Sequence, residues 1–340
     1  MIHERLPWPL VFQSLGVVAA VGLVVATWPV WLLTFTALII AAAILPAAGL
    51  GERYQVPRAL TVLVVYVVVA GVMTLMGRLL WPALSEQWTQ FMQQLPRLID
   101  NVKEWVGDLQ VFVSQYGGGS VTAPKTDDLK AVAGSLLANT VRVGAGTVGV
   151  VFELLAVLVI AAYLVIDAGA IGQTLLALLP SSARPAAAGL APSVLNRIGG
   201  YVRGQLLSSV FVGVLIAILL SLLGVRYSLL IGAMAAVFNI VPFVGATLAA
   251  ILAVLSALNE SPARAALALA AMVVAQTVEG KLLAPHFVGR ATGLHPLAVL
   301  LALLAGAHMA GLIGALVAVP FLAGVWEIVR VLYVEPRRLG

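Results

Sequence analysis

The chain has 340 residues, of which 62% are hydrophobic and 10% are charged, whereas a soluble domain carries about 25% charged residues. This composition argues against a soluble enzyme and indicates an all-α, polytopic membrane protein. The net charge of +5 is scattered over loops rather than clustered in a basic stripe, which argues against a nucleic-acid partner. With no cysteine and four scattered histidines, the sequence offers no motif for a metal or a cofactor.

The N-terminal region, residues 1–81, is predicted to contain three membrane-spanning helices at about 9–27, 30–48 and 59–80. The first two occupy a charge-free run of 46 residues, which is enough for two spans of about 20 residues each. Basic residues precede the first span and lie in the loop after the second span. The positive-inside rule therefore places the N-terminus in the cytoplasm.

Residues 82–142 form a polar insert in which apolar side chains recur every 3.5 residues, as on one face of an amphipathic helix. This apolar seam comprises Leu84, Trp88, Phe91, Leu95, Leu98, Val102, Trp105, Leu109 and Phe112. Pro96 interrupts the seam, so we expect two amphipathic helices or one kinked helix. The seam either covers its own protomer, lies in the membrane interface or forms a subunit contact. The orientation of the preceding spans favours an extracytoplasmic location for the insert.

Two further regions complete the predicted domain organisation. Residues 143–199 combine a fourth span, at about 144–166, with a moderately polar connection. Residues 200–340 form a C-terminal transport core, which begins with a fifth span at about 203–223. This core also contains a short span at about 263–284 and two longer apolar segments that are interrupted.

The interrupted segments of the C-terminal core are 228–258 and 291–333. Proline removes a backbone donor, so Pro242 in the first segment is expected to free the carbonyl of Phe238. A weak internal repeat suggests that Pro320 makes the matching break in the second segment. Paired interrupted helices form binding sites in secondary transporters. Counting each segment as one crossing gives about eight spans with both termini in the cytoplasm, whereas a re-entrant hairpin changes the count.

Polar residues and breaks within these apolar segments are the candidate functional positions, because a charge at the centre of a membrane helix costs about 2.5–3.5 kcal/mol and usually faces a cavity or a partner. The candidates for solute binding are Asn239, Pro242, Gly245, Gln205, Gln276, Gly311 and Pro320. The candidates for ion or proton coupling are Glu279, Glu153, Asp167 and His308. The alternatives are a helix end for Asp167, the headgroup region for Glu153 and a carbonyl hydrogen bond for His308.

Asn239 and the polar residues of the fifth span are the candidates with the clearest chemistry. Asn239 offers one acceptor and two donors beside the break at Pro242, which suits a hydroxylated solute or a partly dehydrated cation. Its alternative role is a hydrogen bond to a neighbouring helix. Gln205, Ser208 and Ser209 share one face of the fifth span, where small polar residues also serve close helix packing.

Gln276 and Glu279 are predicted to share a helix face because they lie three residues apart. Glu279 lies near the end of its span. Its carboxylate is either a proton or cation ligand, or it reaches the interface and pairs with Lys281 or Arg290. The sequence does not distinguish these two roles.

The sequence contains no signature of an enzyme. It has no Walker A motif, no G-x-S-x-G motif, no H-E-x-x-H motif and no dinucleotide-binding fingerprint. We therefore expect that the chain is not an enzyme and needs no cofactor. Transport would use an ion gradient or run downhill.

The C-terminal core also carries several short motifs that occur together. They are Gly200-Tyr201, Gly204-Gln205, the stretch from Asn239 to Gly245, Gln276-x-x-Glu279, His295-Pro296 and the glycine series Gly306, Gly311 and Gly314 that ends at Pro320. In these features the chain resembles the autoinducer-2 exporter (AI-2E) family, also called PerM-type permeases. The resemblance implies a multi-pass transporter of the bacterial inner membrane with about eight spans. It also implies a homo-oligomer, with a pentamer as the assembly proposed for some members.

Three functional hypotheses follow from the residues and the resemblance together. The first is export of a small polar metabolite such as autoinducer-2, with Asn239, Gln276 and Glu279 as polar contacts. The second is monovalent cation (Na⁺ or Li⁺)/proton antiport through Glu279, with Glu153 or Asp167 in support. The third is a non-transport membrane scaffold assembled through the apolar seam. A scaffold has no need for interrupted helices with buried amides, so it ranks last.

Overall fold

The computed structural model describes residues 22–23, 26–115, 147–288 and 294–335, and these residues form helices joined by short turns. The predicted first span and the distal part of the polar insert lie largely outside them. In chain order, the described helices are α1 (Trp28–Arg53), α2 (Arg58–Gln115), α3 (Thr147–Ile166), α4 (Ala168–Ala177), α5 (Arg184–Leu222), α6 (Ser228–Phe238), α7 (Val244–Leu258), α8 (Pro262–Val278) and α9 (Pro296–Val329). Short π-helical segments follow α8, at Glu279–Val288, and α9, at Arg330–Val334.

Several of these helices are long and apolar enough to cross a membrane. Five qualify singly, and they include α1, α5, α8, α9 and the first part of α2. The pair α3 and α4, bent by 76° at Asp167, makes a sixth candidate. The prediction of an all-α, polytopic membrane protein is therefore confirmed.

Helix α2 is 58 residues long and runs from the third predicted span into the polar insert, through Pro96, as one helix. At 1.5 Å per residue it is about 87 Å long, roughly three times the thickness of the bilayer core. In the first part of the apolar seam, Phe91 is 4% exposed and lies in the buried core, with Leu84, Trp88 and Leu95 packed against it. These residues therefore cover their own protomer, which is one of the three alternatives given above for the apolar seam. The seam side chains from Leu98 onward lie outside the described residues.

The N-terminal helices pack through small side chains. Ala37 and Ala41 of α1 and Ala161 of α3 are at most 1% exposed and share one buried cluster. Small residues let membrane helices approach closely, which is how they gain packing energy when lipid removes the hydrophobic driving force. The hydroxyl of Tyr66 on α2 adds a hydrogen bond of 2.7 Å to the carbonyl of Leu158 on α3.

Helix α5 docks on a proline-disrupted turn of α1. Pro46 lacks the N–H that would bond the carbonyl of Ala42. The guanidinium of Arg203 donates to this carbonyl at 3.3 Å and to that of Ala43 at 3.0 Å. A side chain at Gly199 would overlap the Ala42 carbonyl, so glycine permits this approach. The hydrogen bond that the Ala42 carbonyl loses at Pro46 is thus replaced by one from Arg203 of α5, because backbone groups inside a membrane must be paired within the protein.

Helices α6 and α7 form a helical hairpin, hairpin 1 (residues 228–258). The hydroxyl of Ser256, near the end of α7, donates at 3.0 Å to the carbonyl of Arg226, which directly precedes α6. The arms have 11 and 15 residues, or about 16 and 22 Å, and both are shorter than the bilayer core of about 30 Å. The first interrupted segment therefore returns to the end from which it starts.

Helix α9 folds back on itself as a second hairpin, hairpin 2 (residues 296–329). Its backbone leaves helical geometry at Ala310 (φ −143°) and Gly311 (φ 59°, ψ −139°). A side chain at Gly306 would overlap the carbonyl of Gly314, and the reverse is also true. Residues eight apart in a straight helix would be about 12 Å apart, so the two arms of α9 must be antiparallel.

The break predicted at Pro320 is wrong in position, because the chain turns at Gly311 instead. Pro320 is buried within the helical second arm of hairpin 2. Proline is tolerated inside a membrane helix when neighbours satisfy the freed backbone groups. By contrast, the φ and ψ of Gly311 are reached easily only by glycine. The position of the second turn therefore depends on the backbone freedom of Gly311 and not on the N–H that Pro320 lacks.

Hairpin 1 begins directly after the C-terminal end of α5 and runs back along it. Gly232 of α6 packs against Gly213 of α5 so closely that a side chain on either would overlap the other's carbonyl. Further along, Asn239 at the tip of the hairpin contacts Gln205. Residues later in α6 contact residues earlier in α5, so the two helices are antiparallel.

Hairpin 2 approaches α5 from the opposite end. Glu327, near the end of its second arm, pairs with Arg197 in the N-terminal half of α5. Val319, nearer its turn, lies in the same buried cluster as Tyr201 of α5. Val241 from the turn of hairpin 1 joins this cluster. The two hairpins therefore enter along α5 from opposite ends, and their inner parts meet beside Tyr201.

Candidate functional site

Three of the predicted site residues meet at the tip of hairpin 1. Asn239 is 1% exposed, and its side-chain amide donates to Oε1 of Glu279 at 2.7 Å. The side-chain amide of Gln205 donates to the backbone carbonyl of Asn239 at 2.6 Å. We call Gln205, Asn239 and Glu279 the polar cluster. It joins α5, the tip of hairpin 1 and the end of α8.

The turn of hairpin 1 holds Asn239 in place. The carbonyl of Phe238, expected to be free, accepts the N–H of Val241 at 3.1 Å, so that expectation is wrong. The tight turn that contains Pro242 supplies this donor three residues after α6 ends. Gly245 lies against the backbone of Asn239, where any side chain would overlap it. Gly245 and Pro242 thus shape the turn that presents Asn239.

The polar cluster contains a buried acceptor without a donor. Oδ1 of Asn239 has no hydrogen-bond partner among the described residues. The hydroxyl of Ser209, one turn from Gln205 on α5, is likewise buried and has none within the described part of the chain. Leaving such a group unpaired costs about 1–3 kcal/mol. A ligand that brings a hydroxyl donor or a positive charge would remove this cost.

Glu279 lies at the junction between α8 and the π-helical segment, which packs against α5. Its carboxylate is partly buried and accepts from Asn239, while Lys281 is exposed and Arg290 lies outside the described residues. Gln276 is exposed, so the structure brings only Glu279 of this pair into the polar cluster.

The remaining predicted site residues lie elsewhere. Glu153, Asp167 and His308 are exposed and do not join the polar cluster. Gly311 forms the turn of hairpin 2, and Pro320 is buried in its second arm. These two positions shape hairpin 2 and offer no polar side chain to a solute.

Sequence reasoning missed a second buried polar group between α5 and hairpin 2. Glu327 is 3% exposed and Arg197 is 9% exposed, and they form an ion pair. The hydroxyl of Ser193 donates to Glu327 Oε1 at 2.5 Å. The sequence signal is weak: Glu327 is the first charged residue after a run of 36 charge-free residues, but a charge at the end of an apolar run ordinarily reaches the interface.

A separate cavity of about 540 Å³ lies between α1 and hairpin 2. It is lined by Trp28, Trp31, Leu32, Phe35, Ala302, Ala305, Gly306, Met309, Gly314, Val317, Ala318, Phe321 and Leu322. The lining is almost entirely apolar, and of its two indole N–H groups that of Trp31 is already donated to the hydroxyl of Thr27 at 2.9 Å. The polar cluster is therefore the better candidate site for a polar solute.

Comparison with known proteins places this architecture among transporters. A family model described as AI-2E family transporter matches residues 14–333, a range that includes both hairpins and the polar cluster. Two similar proteins of Bacillus subtilis (strain 168) each bear the name "Putative transport protein". The first, YueF, is 28% identical over 302 residues, which is 86% of this chain and 80% of YueF. The second, YrrI, is 28% identical over 274 residues, which is 78% of this chain and 75% of YrrI.

Proposed function

The chain belongs to the AI-2E transporter family, and from that premise we propose that it is a secondary transporter that exports a small polar metabolite through the polar cluster. Autoinducer-2 is the first solute to test, because the family takes its name from it. The observation that carries the proposal is the position of Asn239 and Glu279 where two hairpins from opposite ends of α5 meet. Discontinuous helices arranged in this way form the solute sites of secondary transporters.

The chemistry of the polar cluster favours a neutral solute with several hydroxyl groups. Oδ1 of Asn239 is an acceptor that awaits a donor, and a carboxylate such as that of Glu279 accepts several hydrogen bonds. A hydroxyl group of the solute would donate a hydrogen bond directly to Oδ1 of Asn239. A solute without hydroxyls would leave the buried Oδ1 of Asn239 without a donor, and a buried polar group left unpaired is how a polar site rejects such a solute.

Access would alternate between the two ends of α5. Hairpin 1 covers the polar cluster from the C-terminal end of α5, and hairpin 2 approaches from the N-terminal end. Movement of one hairpin at a time exposes the site to one side of the membrane only. Since the sequence carries no nucleotide-binding motif, the proposed energy source is an ion gradient or the solute gradient itself.

The proposed location is the bacterial inner membrane, with the chain assembled as a homo-oligomer. The distribution of basic residues, with Arg53 and Arg58 in the loop between the second and third spans, supports a cytoplasmic N-terminus. The insert helix α2 extends well beyond the bilayer core, which provides a surface for subunit contacts. A pentamer is the assembly to test first.

A second candidate function is monovalent cation/proton antiport. The specific observation that favours it is the buried Oδ1 of Asn239, to which no described residue donates, on the side chain that also contacts the Glu279 carboxylate. Two oxygens of this kind suit a partly dehydrated Na⁺ or Li⁺, since hard cations prefer oxygen ligands. In this function Glu279 would exchange the cation for a proton.

Flux measurements in proteoliposomes separate the two functions. The unaltered protein and Glu279→Gln are compared for efflux of autoinducer-2 and for sodium-driven proton movement, with Glu86→Gln on the exposed face of α2 as the matched control. The export proposal expects solute flux from the unaltered protein that falls in Glu279→Gln and persists in the control. Proton movement that depends on sodium and on Glu279, without any solute flux, would contradict export and favour antiport.

A further inference from the structure

Arg197 and Glu327 form a buried ion pair that the proposed transport path does not use. We infer that they are positioning residues of the transport site, because their contact holds hairpin 2 at one register on α5 and so fixes its inner part beside the polar cluster. The inference rests on the proposed function only in treating the polar cluster as the solute site. The register itself is a property of the fold and can be measured separately.

The two carboxylate oxygens of Glu327 have separate donors on α5. Ser193 donates to Oε1 at 2.5 Å, and Arg197 pairs with Oε2. Ser193 and Arg197 lie one helical turn apart, so the carboxylate is held from two successive turns of the same helix. Such a contact fixes both the height and the rotation of the second arm of hairpin 2 relative to α5.

The described remainder of this helix contact is apolar. On the hairpin side it includes small or apolar residues such as Ala315, Val319 and Gly324, and Gly324 packs against Ile198. In lipid, apolar faces gain no hydrophobic energy from one alignment over another, so the ion pair adds the directional contact that van der Waals packing lacks. A shift by one turn, about 5.4 Å, would separate the Glu327 carboxylate from both of its donors on α5 and leave only Arg330, 3.7 Å away on its own arm, beside it, which is unfavourable for a buried charge.

The pair is close enough to the polar cluster to set its geometry. Arg197 lies one turn before Tyr201 and two turns, or about 12 Å, before Gln205. Tyr201 belongs to the buried cluster in which Val241 of hairpin 1 meets Val319 of hairpin 2. A rigid helical arm therefore transmits the position set at Glu327 to the place where the two hairpins meet.

A role in positioning can be distinguished from a role in stability. Replacement of a buried ion pair by apolar residues of similar volume is often neutral or stabilising, whereas loss of one partner is destabilising. The double variant Arg197→Met/Glu327→Leu should therefore remain folded while losing the directional contact. A purely structural pair would leave both the hairpin register and solute affinity unchanged in this variant.

Thiol cross-linking measures the register directly, because the chain has no cysteine of its own. Cysteines replace Val241 and Leu303, which lie in the cluster shared by the two hairpins, and a short bifunctional thiol reagent links them in membranes. We expect the cross-linking rate to fall about tenfold, equivalent to about 1.4 kcal/mol, in the double variant and in Glu327→Gln, because neither keeps the ion pair. The charge-exchanged variant Arg197→Glu/Glu327→Arg should restore part of the rate. Glu86→Gln, at an exposed carboxylate of α2 that has no contact with Glu327, is the control.

Solute flux in proteoliposomes completes the test. The inference expects KM to rise more than the turnover number falls, since the polar cluster keeps its chemistry but loses its fixed geometry. Unchanged cross-linking in both Glu327→Gln and the double variant would overturn the inference. Altered cross-linking in a protein whose unaltered form moves no solute would support the register and contradict the proposed function instead.

Discussion

The side chain of Asn239 donates a hydrogen bond of 2.7 Å to the carboxylate of Glu279, and this bond joins the tip of hairpin 1 to the end of α8 across 40 residues of chain. Asn239 is 1% exposed, so the residues packed around it fix the position of its side chain. A solute that donates a hydrogen bond to Oδ1 of Asn239 would therefore also lie close to Glu279 at the end of α8. Under the proposed function, solute binding and the placement of hairpin 1 are coupled through this one amide.

Substitution of Asn239 by alanine tests that coupling. Asn239→Ala removes the donor to Glu279 and the acceptor offered to the solute, and a partly buried carboxylate left without its donor costs about 1–3 kcal/mol. We expect transport efficiency to fall about tenfold or more, measured as initial flux into proteoliposomes. Asn259→Ala, at an exposed asparagine bonded to Asn101, should leave flux unchanged. Equal flux in the two variants would remove Asn239 from the site.

The glycine contact between α5 and α6 gives a stability prediction. In Gly213→Ala the new methyl group would overlap the side chain of Ala236 and the carbonyl of Gly232. Overpacking of this kind costs about 1–3 kcal/mol, so we expect a lower melting temperature in detergent. Gly189→Ala, on the same helix but with open space around it, should be neutral or stabilise by about 0.5–1 kcal/mol, since alanine is the better helix former. A higher melting temperature for Gly213→Ala than for Gly189→Ala would contradict the close approach.

The sequence predicted the polar cluster better than it predicted the breaks. Asn239 and Glu279 could be identified because polar groups in apolar segments are costly and therefore rare. Their mutual hydrogen bond could not be identified, because it depends on how α8 lies against hairpin 1. Gln276 shares a predicted helix face with Glu279 but is exposed, and the chain passes from an α-helix into a π-helix at Glu279.

The position of the second turn shows the limit of reasoning from proline alone. A proline marks a lost donor, and both Pro242 and Pro320 satisfy that description. Only the first lies in a turn, whereas the second lies inside an arm that neighbouring helices support. Gly311 turns the chain by a positive φ, which a sequence rich in glycine does not single out.

Arg197 and Glu327 were missed because each lies at the end of an apolar run, where a charge ordinarily faces the interface.

The turn at Gly311 can be tested against the alternative at Pro320. An alanine at Gly311 must adopt φ 59° with ψ −139°, a strained conformation that costs of order 1–3 kcal/mol. We expect Gly311→Ala to loosen hairpin 2 and to slow thiol cross-linking between cysteines at Leu303 and Val319, which lie on opposite arms in one cluster. Pro320→Ala should keep that cross-link. The reverse pattern would place the turn at the proline.

The extension of α2 provides a prediction about hairpin 1, because it contacts the end of the hairpin away from the polar cluster. The side-chain oxygen of Gln87 accepts the N–H of Leu230 at 2.9 Å, in the first turn of α6, where backbone donors have no partner within the helix. Beside it, the rings of Phe91 and Tyr227 meet edge to face with centroids 5.6 Å apart. The long helix thus caps and clamps the base of hairpin 1.

Loss of the cap should loosen α6 from its N-terminal end. Gln87→Ala removes a side-chain cap, a change that costs about 0.5–2 kcal/mol, so we expect faster hydrogen exchange at the Leu230 amide and in the first turn of α6. Gln90→Ala, at an exposed glutamine whose side chain bonds Glu86 on the same helix, should leave this exchange unchanged. If Gln87→Ala and Gln90→Ala exchange alike at Leu230, the α2 extension does not hold hairpin 1, and the base of the hairpin is stabilised by Ser256 and its own arms instead.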